Sequence, residues 1–527
     1  MKPIRPFSRE FLSLYPALLA SLLVFNGCQT SDTTAAKSNE TSAAANQGAV
    51  SLPNVFSHNM VLQMGTSTPI WGWGTDGDTV TVIFRGQKKT AKVKGGEWQV
   101  HFNNLKPGGP DDLTVSSQNT VTYTNVLVGE VWIASGQSNM ELALRDSFEA
   151  AKDIASSENN QIRLLTVPKL KLTSPTNNMN GHWELCNPTT VPRFSAVAYY
   201  FGRDLQKHRG VPVGLIHTSW GGSPAEVWIR EEVMAANPAY KSAILDPMPA
   251  KLEKYQKDRA AWEKDSADAK KENKPFTRRA PNMDWRPAEL YNGMIAPIVP
   301  YGIQGAIWYQ GESNAGRAEQ YRTLFADMIQ NWRHDWHQGD FTFLEVQLAP
   351  FMKIKTEPGE STWAELREAQ LLATKNLPNV GMAVITDVGE ENDIHPKKKQ
   401  PVGERLSAAA RAIAYHENIE FAGPLYKNMK TEGANAILTF SHVGKGLETD
   451  GSQLKGFTIC GPDHKFVNAT ATINGDKVVV NSPSVSQPVA VRYGWADYPV
   501  VNLWNKDGFP ATPFRTDDFP MITAGKK

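Results

Sequence analysis

The chain has 527 residues, with 55 Lys and Arg against 54 Asp and Glu, a formal net charge of +1. That balance leaves no field to draw in nucleic acid or an anionic membrane surface. Three cysteines are present, and only Cys186 and Cys460 lie beyond the first 28 residues; they can pair in an oxidising compartment, but two residues do not decide it.

The first residues read as an address. Lys2, Arg5 and Arg9 form a basic start, and Phe11 to Phe25 is apolar but too short to span a bilayer. Asn26-Gly27-Cys28 ends it. A Cys preceded by Gly after a short apolar stretch looks like a bacterial lipoprotein cleavage and lipidation site, the bland alternative being an ordinary secretory signal. This predicts a leader over 1–28, Cys28 as the lipidated residue and an exported protein of the periplasm or cell surface. The membrane is then met only through that lipid. Residues 29–50, rich in Gln, Thr, Ser, Ala and Asn, read as a flexible tether.

The remainder is long enough for two or three domains. Residues 51–125 alternate in short runs, as in Thr79-Val80-Thr81-Val82-Ile83-Phe84 and Glu97-Trp98-Gln99-Val100-His101-Phe102, broken by Gly and Pro turns. They predict a small β-sandwich module. Over 126–416 strand-like and helical runs alternate. Strands are expected at 126–134, 213–217, 303–308, 341–348 and 380–385, and helices near 196–208, 318–335, 363–376 and 400–415. This pattern predicts an α/β fold, a parallel sheet covered by helices on both faces. A charged, Ala-rich stretch near 245–280 predicts an exposed helical insertion. From 417 to 527 the β pattern returns; Asn474-Gly475-Asp476 between two β-branched runs is a hairpin signal.

Polar clusters follow four of these strands. Gly136-Gln137-Ser138-Asn139 follows the first and Thr218-Ser219-Trp220-Gly221-Gly222 the second. Tyr309-Gln310-Gly311-Glu312-Ser313-Asn314 follows the third, and Asp387 with Asn392-Asp393-Ile394-His395-Pro396 the last. Ligands bind at the carboxyl edge of an open parallel sheet, so these clusters are expected in one cleft. Ser138, on a tight strand-to-helix turn, is the candidate nucleophile. His395 is the best-placed base, and Asp393 is the acid near it. The Ser138 N–H, the Gly222 N–H and the Asn314 amide can serve as oxyanion donors. Taken singly, His395 reads as a loop residue, Asn314 as a helix cap and His217 as packing or substrate lining. No Cys/His pair has metal spacing and no Gly-rich phosphate loop is seen, so neither metal nor cofactor is expected.

At these residues the chain resembles the SGNH hydrolases, and more narrowly the sialate O-acetylesterase family of carbohydrate esterases. Further stretches carry the likeness: Phe194 to Gly202, Ser219 to Glu226, Leu290 to Ile295, Trp308 to Asn314 and Asp393 to Lys397. The resemblance implies an SGNH-type domain flanked by the two β modules, and removal of acetyl groups from O-acetylated sugars by a Ser nucleophile without metal. Gln137, Trp220, Gln310 and Glu312 are then expected to line the substrate. In SGNH hydrolases the supporting acid commonly lies three residues before the His, where this chain has Asn392. Asp393, Asp387 and a backbone carbonyl therefore all stay open for that role. Acetylated sialic acid and acetylated xylan both suit this chemistry; a non-catalytic glycan-binding lipoprotein and a lipase-like esterase are the readings from other classes.

Overall fold

The computed structural model describes residues 49–527, which lie within one compact unit. The expected leader, Cys28 and most of the expected tether fall outside the described residues. The centre is a mixed sheet of β1 (Thr120–Gly136), β2 (Asn159–Thr166), β3 (Trp183–Cys186), β4 (Val213–Ser219), β5 (Gly305–Tyr309), β6 (Thr342–Val346) and β7 (Val380–Ala383). Their spatial order is β7-β6-β5-β1-β4-β2-β3. Every pair is parallel except β2 with the edge strand β3. β4 and β5 are buried at every position, as strands covered on both faces must be.

The helices that matter for the site are α1 (Ser138–Glu141), α2 (Ala196–Arg209), α3 (Met248–Lys271), α4 (Ala318–Trp336), α5 (Thr362–Asn376) and α6 (Gln400–Ile413). Ser195 caps α2 by accepting the Ala198 N–H, and Ser361 caps α5 by accepting the Ala364 N–H. One core gathers α4 and α5 on one face of the sheet, with Trp308 and Phe343 in contact with each other and each with Phe325 and Trp332. Another gathers α2 and α6 on the opposite face around Trp132, Phe201 and Leu406.

The boundary expected at 125/126 falls inside β1. That strand runs unbroken from the amino-terminal β region into the middle of the sheet, pairing with Val61–Gln63 and Gly108–Ser116 at one end and with β4 and β5 at the other. The carboxyl-terminal β region does form its own sheets, including the expected hairpin, in which Thr470–Asn474 pairs antiparallel with Lys477–Asn481. Cys186 and Cys460 are both buried and unpaired with each other. No helix among the described residues is long and apolar enough to cross a membrane.

Candidate active site

The carboxyl edge of the sheet gathers the polar clusters. At the end of β1, a Cβ on Gly136 would meet the Tyr309 carbonyl oxygen at 2.2 Å, and φ there is +133°. Only glycine lets the two strands close so tightly before the chain turns into α1. Ser138 is the first residue of that helix. Its N–H has no carbonyl one turn back to bond, and no acceptor for it is found among the described residues.

His395 sits in the loop after β7, and its Nε2 lies 2.8 Å from Ser138 Oγ. Asp393 Oδ1 accepts the backbone N–H of His395 at 2.8 Å and lies 3.5 Å from its Nδ1. That is ion-pair range, longer than a good hydrogen bond. Burial holds the His395 imidazole below its ordinary pKa; Asp393 opposes this, while Lys399 and Lys397 add to it. The Asp393 carboxyl lies below its usual range, chiefly because the His395 N–H donates to it. At neutral pH the site therefore presents an ionised carboxylate, a neutral imidazole and a hydroxyl, an arrangement able to pass the Ser138 proton to Nε2.

Opposite His395, the loop after β4 lies against the Ser138 turn. A Cβ on Gly221 would come within 3.3 Å of Ser138 Cβ. Glu141 Oε2, one turn along α1 from Ser138, accepts the Gly221 N–H at 2.6 Å. Gly222 has φ +76°, and its N–H has no acceptor among the described residues. Asn314 is buried. Its Oδ1 accepts from the Ala225 N–H at 2.9 Å and from Gln310 Nε2 at 2.7 Å, while Nδ2 donates to Glu226 Oε2 at 2.9 Å. One Nδ2 hydrogen is left over. Ser138, His395, Gly221, Ser219 and His217 all line a groove of about 660 Å³.

Residues 277–412 match the family model described as "Carbohydrate esterase, sialic acid-specific acetylesterase". The sialate O-acetylesterase of Rattus norvegicus is 31% identical over 494 residues, spanning 84% of this chain and 88% of that one. The human enzyme of the same name is 29% identical, spanning 84% and 87%. This chain belongs to the sialate O-acetylesterase family. A crystal structure described as a carbohydrate acetylesterase from Xanthomonas citri superposes with a TM-score of 0.78 at 35% identity, covering 89% of this chain and all of that one. The protein is an esterase.

In this esterase the expected substrate-lining residues separate. Gln137 and Gln310 are 3% and 0% exposed and do not reach the groove. Gln137 Oε1 instead accepts the Ser313 N–H at 3.3 Å, and Gln310 accepts the Tyr321 hydroxyl at 3.0 Å while holding Asn314. Both turn inward because β1 and β5 bury their ends against each other. Glu312 is also committed, its Oε1 accepting Asn139 Nδ2 at 2.6 Å. Trp220 stays half-exposed, edge-on to Trp285 at 5.7 Å. Asp387 is drawn away from His395 by Arg405, which contacts both of its carboxylate oxygens at 2.6 and 2.8 Å. Asn314 does not cap α4, which starts after Arg317 without a side-chain cap; its Oδ1 instead meets the first N–H of the short 3-10 helix Ala225–Trp228.

Sequence reasoning left several supporting residues without a role. Asn139 donates to the Ile394 carbonyl at 2.9 Å, tying the Ser138 turn to the His395 loop. Lys399, buried, donates to Asn139 Oδ1 at 2.5 Å, and burial pushes its ammonium down to about 7. Glu226, joined to Arg317 at 2.7 Å, orients the Asn314 amide. Glu226 lies in one of the stretches that resemble the family; Lys399 stands in a run of basic residues and carries no signal that separates it from a surface lysine.

Proposed function

We propose that this esterase removes O-acetyl groups from acetylated sugars, acetylated sialic acid foremost, by an SGNH-type mechanism with Ser138 as nucleophile, His395 as base and Asp393 as its support. Ser138 Oγ attacks the acetyl carbonyl carbon and His395 Nε2 takes the hydroxyl proton. The carbonyl electron pair becomes an oxyanion facing the N–H groups of Ser138 and Gly222 and the free Nδ2 hydrogen of Asn314. The tetrahedral adduct collapses, the ester bond to the sugar oxygen breaks, and His395 returns its proton to that oxygen. Water, deprotonated by the same imidazole, then attacks the acetyl carbon; the bond to Ser138 Oγ breaks, His395 returns the proton to that oxygen, and acetate leaves.

The observation that carries this reading is the 2.8 Å approach of His395 Nε2 to Ser138 Oγ across 257 residues of sequence. The sialate substrate is supported by the names of the relatives, and the carbohydrate class also by that of the Xanthomonas citri structure. The test is acetate release from O-acetylated N-acetylneuraminic acid and from acetylxylan in parallel, with wild type and Ser138→Ala. Release from the sialic acid that disappears in the variant is expected. Release from acetylxylan alone would move the substrate, and a Ser138→Ala protein that keeps its activity would overturn the mechanism.

For the amino terminus the proposal is lipidation of Cys28. Full-length protein made in a bacterium then enters the detergent phase, and Cys28→Ser moves it to the soluble fraction. Equal partitioning of the two would restore a plain secretory signal.

A further inference from the structure

The groove holds a second Ser–His pair. β4 places His217 and Ser219 two residues apart, so both side chains leave the same face of the strand. Both line the groove beside Ser138 and His395, and they are 6% and 3% exposed. His217 Nε2 lies 2.6 Å from Ser219 Oγ, and the Phe194 ring packs edge-on against the imidazole at 5.5 Å. His217 Nδ1 is buried and has no hydrogen-bond partner.

The imidazole is neutral. Burial pushes it down to about 4, against the pull of Glu141 and with the help of Lys169. A neutral imidazole carries one N–H. On Nδ1 that hydrogen would be a buried donor with nothing to accept it, and orphaned N–H groups are rarer in folded proteins than acceptors with a spare lone pair. On Nε2 it is donated to Ser219 Oγ, Nδ1 keeps an unused lone pair, and the donor left over is the Ser219 hydroxyl hydrogen, which lines the groove and can meet water or a ligand there. The second tautomer is the one the surroundings favour. In that tautomer Nε2 cannot take the Ser219 proton, so the pair is no second nucleophile. Ser219 has accepted one bond, and its own hydroxyl hydrogen has no acceptor among the described residues.

We propose that Ser219 donates this hydrogen to a sugar oxygen of the substrate next to the scissile acetyl, with His217 as the positioning residue that holds Ser219 in the donor role. The proposal rests on the acetylated-sugar reading of the groove. It makes Ser219 a determinant of sugar recognition, separate from the ester chemistry at Ser138.

The experiment compares kcat/KM on O-acetylated N-acetylneuraminic acid, or on acetylxylan if that is the sugar cleaved, with kcat/KM on p-nitrophenyl acetate, which has the acetyl ester and no sugar. The variants are Ser219→Ala and Ser219→Cys. In Ser219→Ala the sugar ester should lose about tenfold more than the aryl ester, the factor for one neutral hydrogen bond. Ser219→Cys, a weak donor, should fall between. The deacetylated sugar should also inhibit Ser219→Ala less strongly than wild type. Equal losses on both esters would make Ser219 part of the scaffold under Ser138 and overturn the proposal. So would an unchanged sugar reaction. A wild-type enzyme that cleaves the aryl ester but no acetylated sugar would overturn the reading on which the proposal rests, and the proposal with it.

Discussion

Two charged regions of this esterase use the same side chains to opposite ends. α3 buries none of its 24 residues. Its Lys254–Asp258, Lys257–Glu253, Arg259–Glu263 and Lys264–Asp268 pairs all sit one turn apart on the helix surface. Water screens such pairs, and holding two long side chains together offsets most of their attraction. Beneath the candidate active site, Glu312, Asn139 and Lys399 form a chain of hydrogen bonds that joins the turn after β5, α1 and the start of α6. There Lys399 is 1% exposed, and burial also raises the Glu312 carboxyl above its ordinary value. In the low dielectric each group depends on its partner. The helix carries more ion pairs, while the buried chain ties the Ser138 turn to the His395 loop.

That contrast is sharpest at Ser138, the proposed nucleophile. Ser138→Ala should lower kcat by about a millionfold, the typical loss for a triad nucleophile, with an unchanged melting curve. Measurable acetate release beyond a small fraction of wild type would remove Ser138 from its role.

Asn314→Ala should lower kcat by about a hundred- to a thousandfold with KM nearly constant, because the free Nδ2 hydrogen meets charge only in the transition state. Asn314→Asp should be worse, since it faces both the oxyanion and the Glu226 carboxylate with another negative charge. Steady-state kinetics of the two variants decide this, and an active Asn314→Asp enzyme would end the oxyanion assignment.

Asp393→Asn should reduce kcat by a smaller factor and move the acid limb of the kcat/KM–pH profile. His395 must be neutral to act, so activity falls as pH drops through its pKa. In wild type that limb lies below the ordinary imidazole value of about 6.5, since burial outweighs the Asp393 charge. Removing the carboxylate removes an attraction that favours the imidazolium, so the limb shifts to still lower pH. A shift upward would show that Asp393 does not act on His395 electrostatically.

Lys399→Met tests the buried chain itself. It leaves Asn139 Oδ1 without its donor, which should lower stability by about 1–3 kcal/mol in urea titration and lower kcat by loosening the Ile394 contact. The matching change on α3, Lys254→Ala with Lys264→Ala, should shift the melting temperature by no more than about 1 °C and leave kinetics unchanged. Comparable losses in the two regions would break the comparison.

Much of this was legible in the chain because it is local. Helices expected near 196–208, 318–335, 363–376 and 400–415 occur at 196–209, 318–336, 362–376 and 400–413. All five expected strands lie in one sheet, and the polar clusters that follow them lie at one edge. β2 and β3 escaped because neither has a continuous apolar run: Asn159-Asn160-Gln161 opens β2, and β3 is a short edge strand with Leu185 exposed.

The sequence by itself determined the strand-to-helix turn that carries Ser138, the succession of Ser138, Gly222, Asn314 and His395 at strand ends, and the solvated character of α3. Each follows from side-chain period and turn chemistry within a few residues. Only the tertiary structure decided which partners these groups meet. It gave Asp387 to Arg405 and left Asp393 beside His395; it turned Gln137 and Gln310 inward, and it buried Lys399 while its neighbour Lys397 lines the groove. Such choices depend on where chain segments hundreds of residues apart come to rest. Burial and charge pairing are properties of that packing, and no local pattern encodes them.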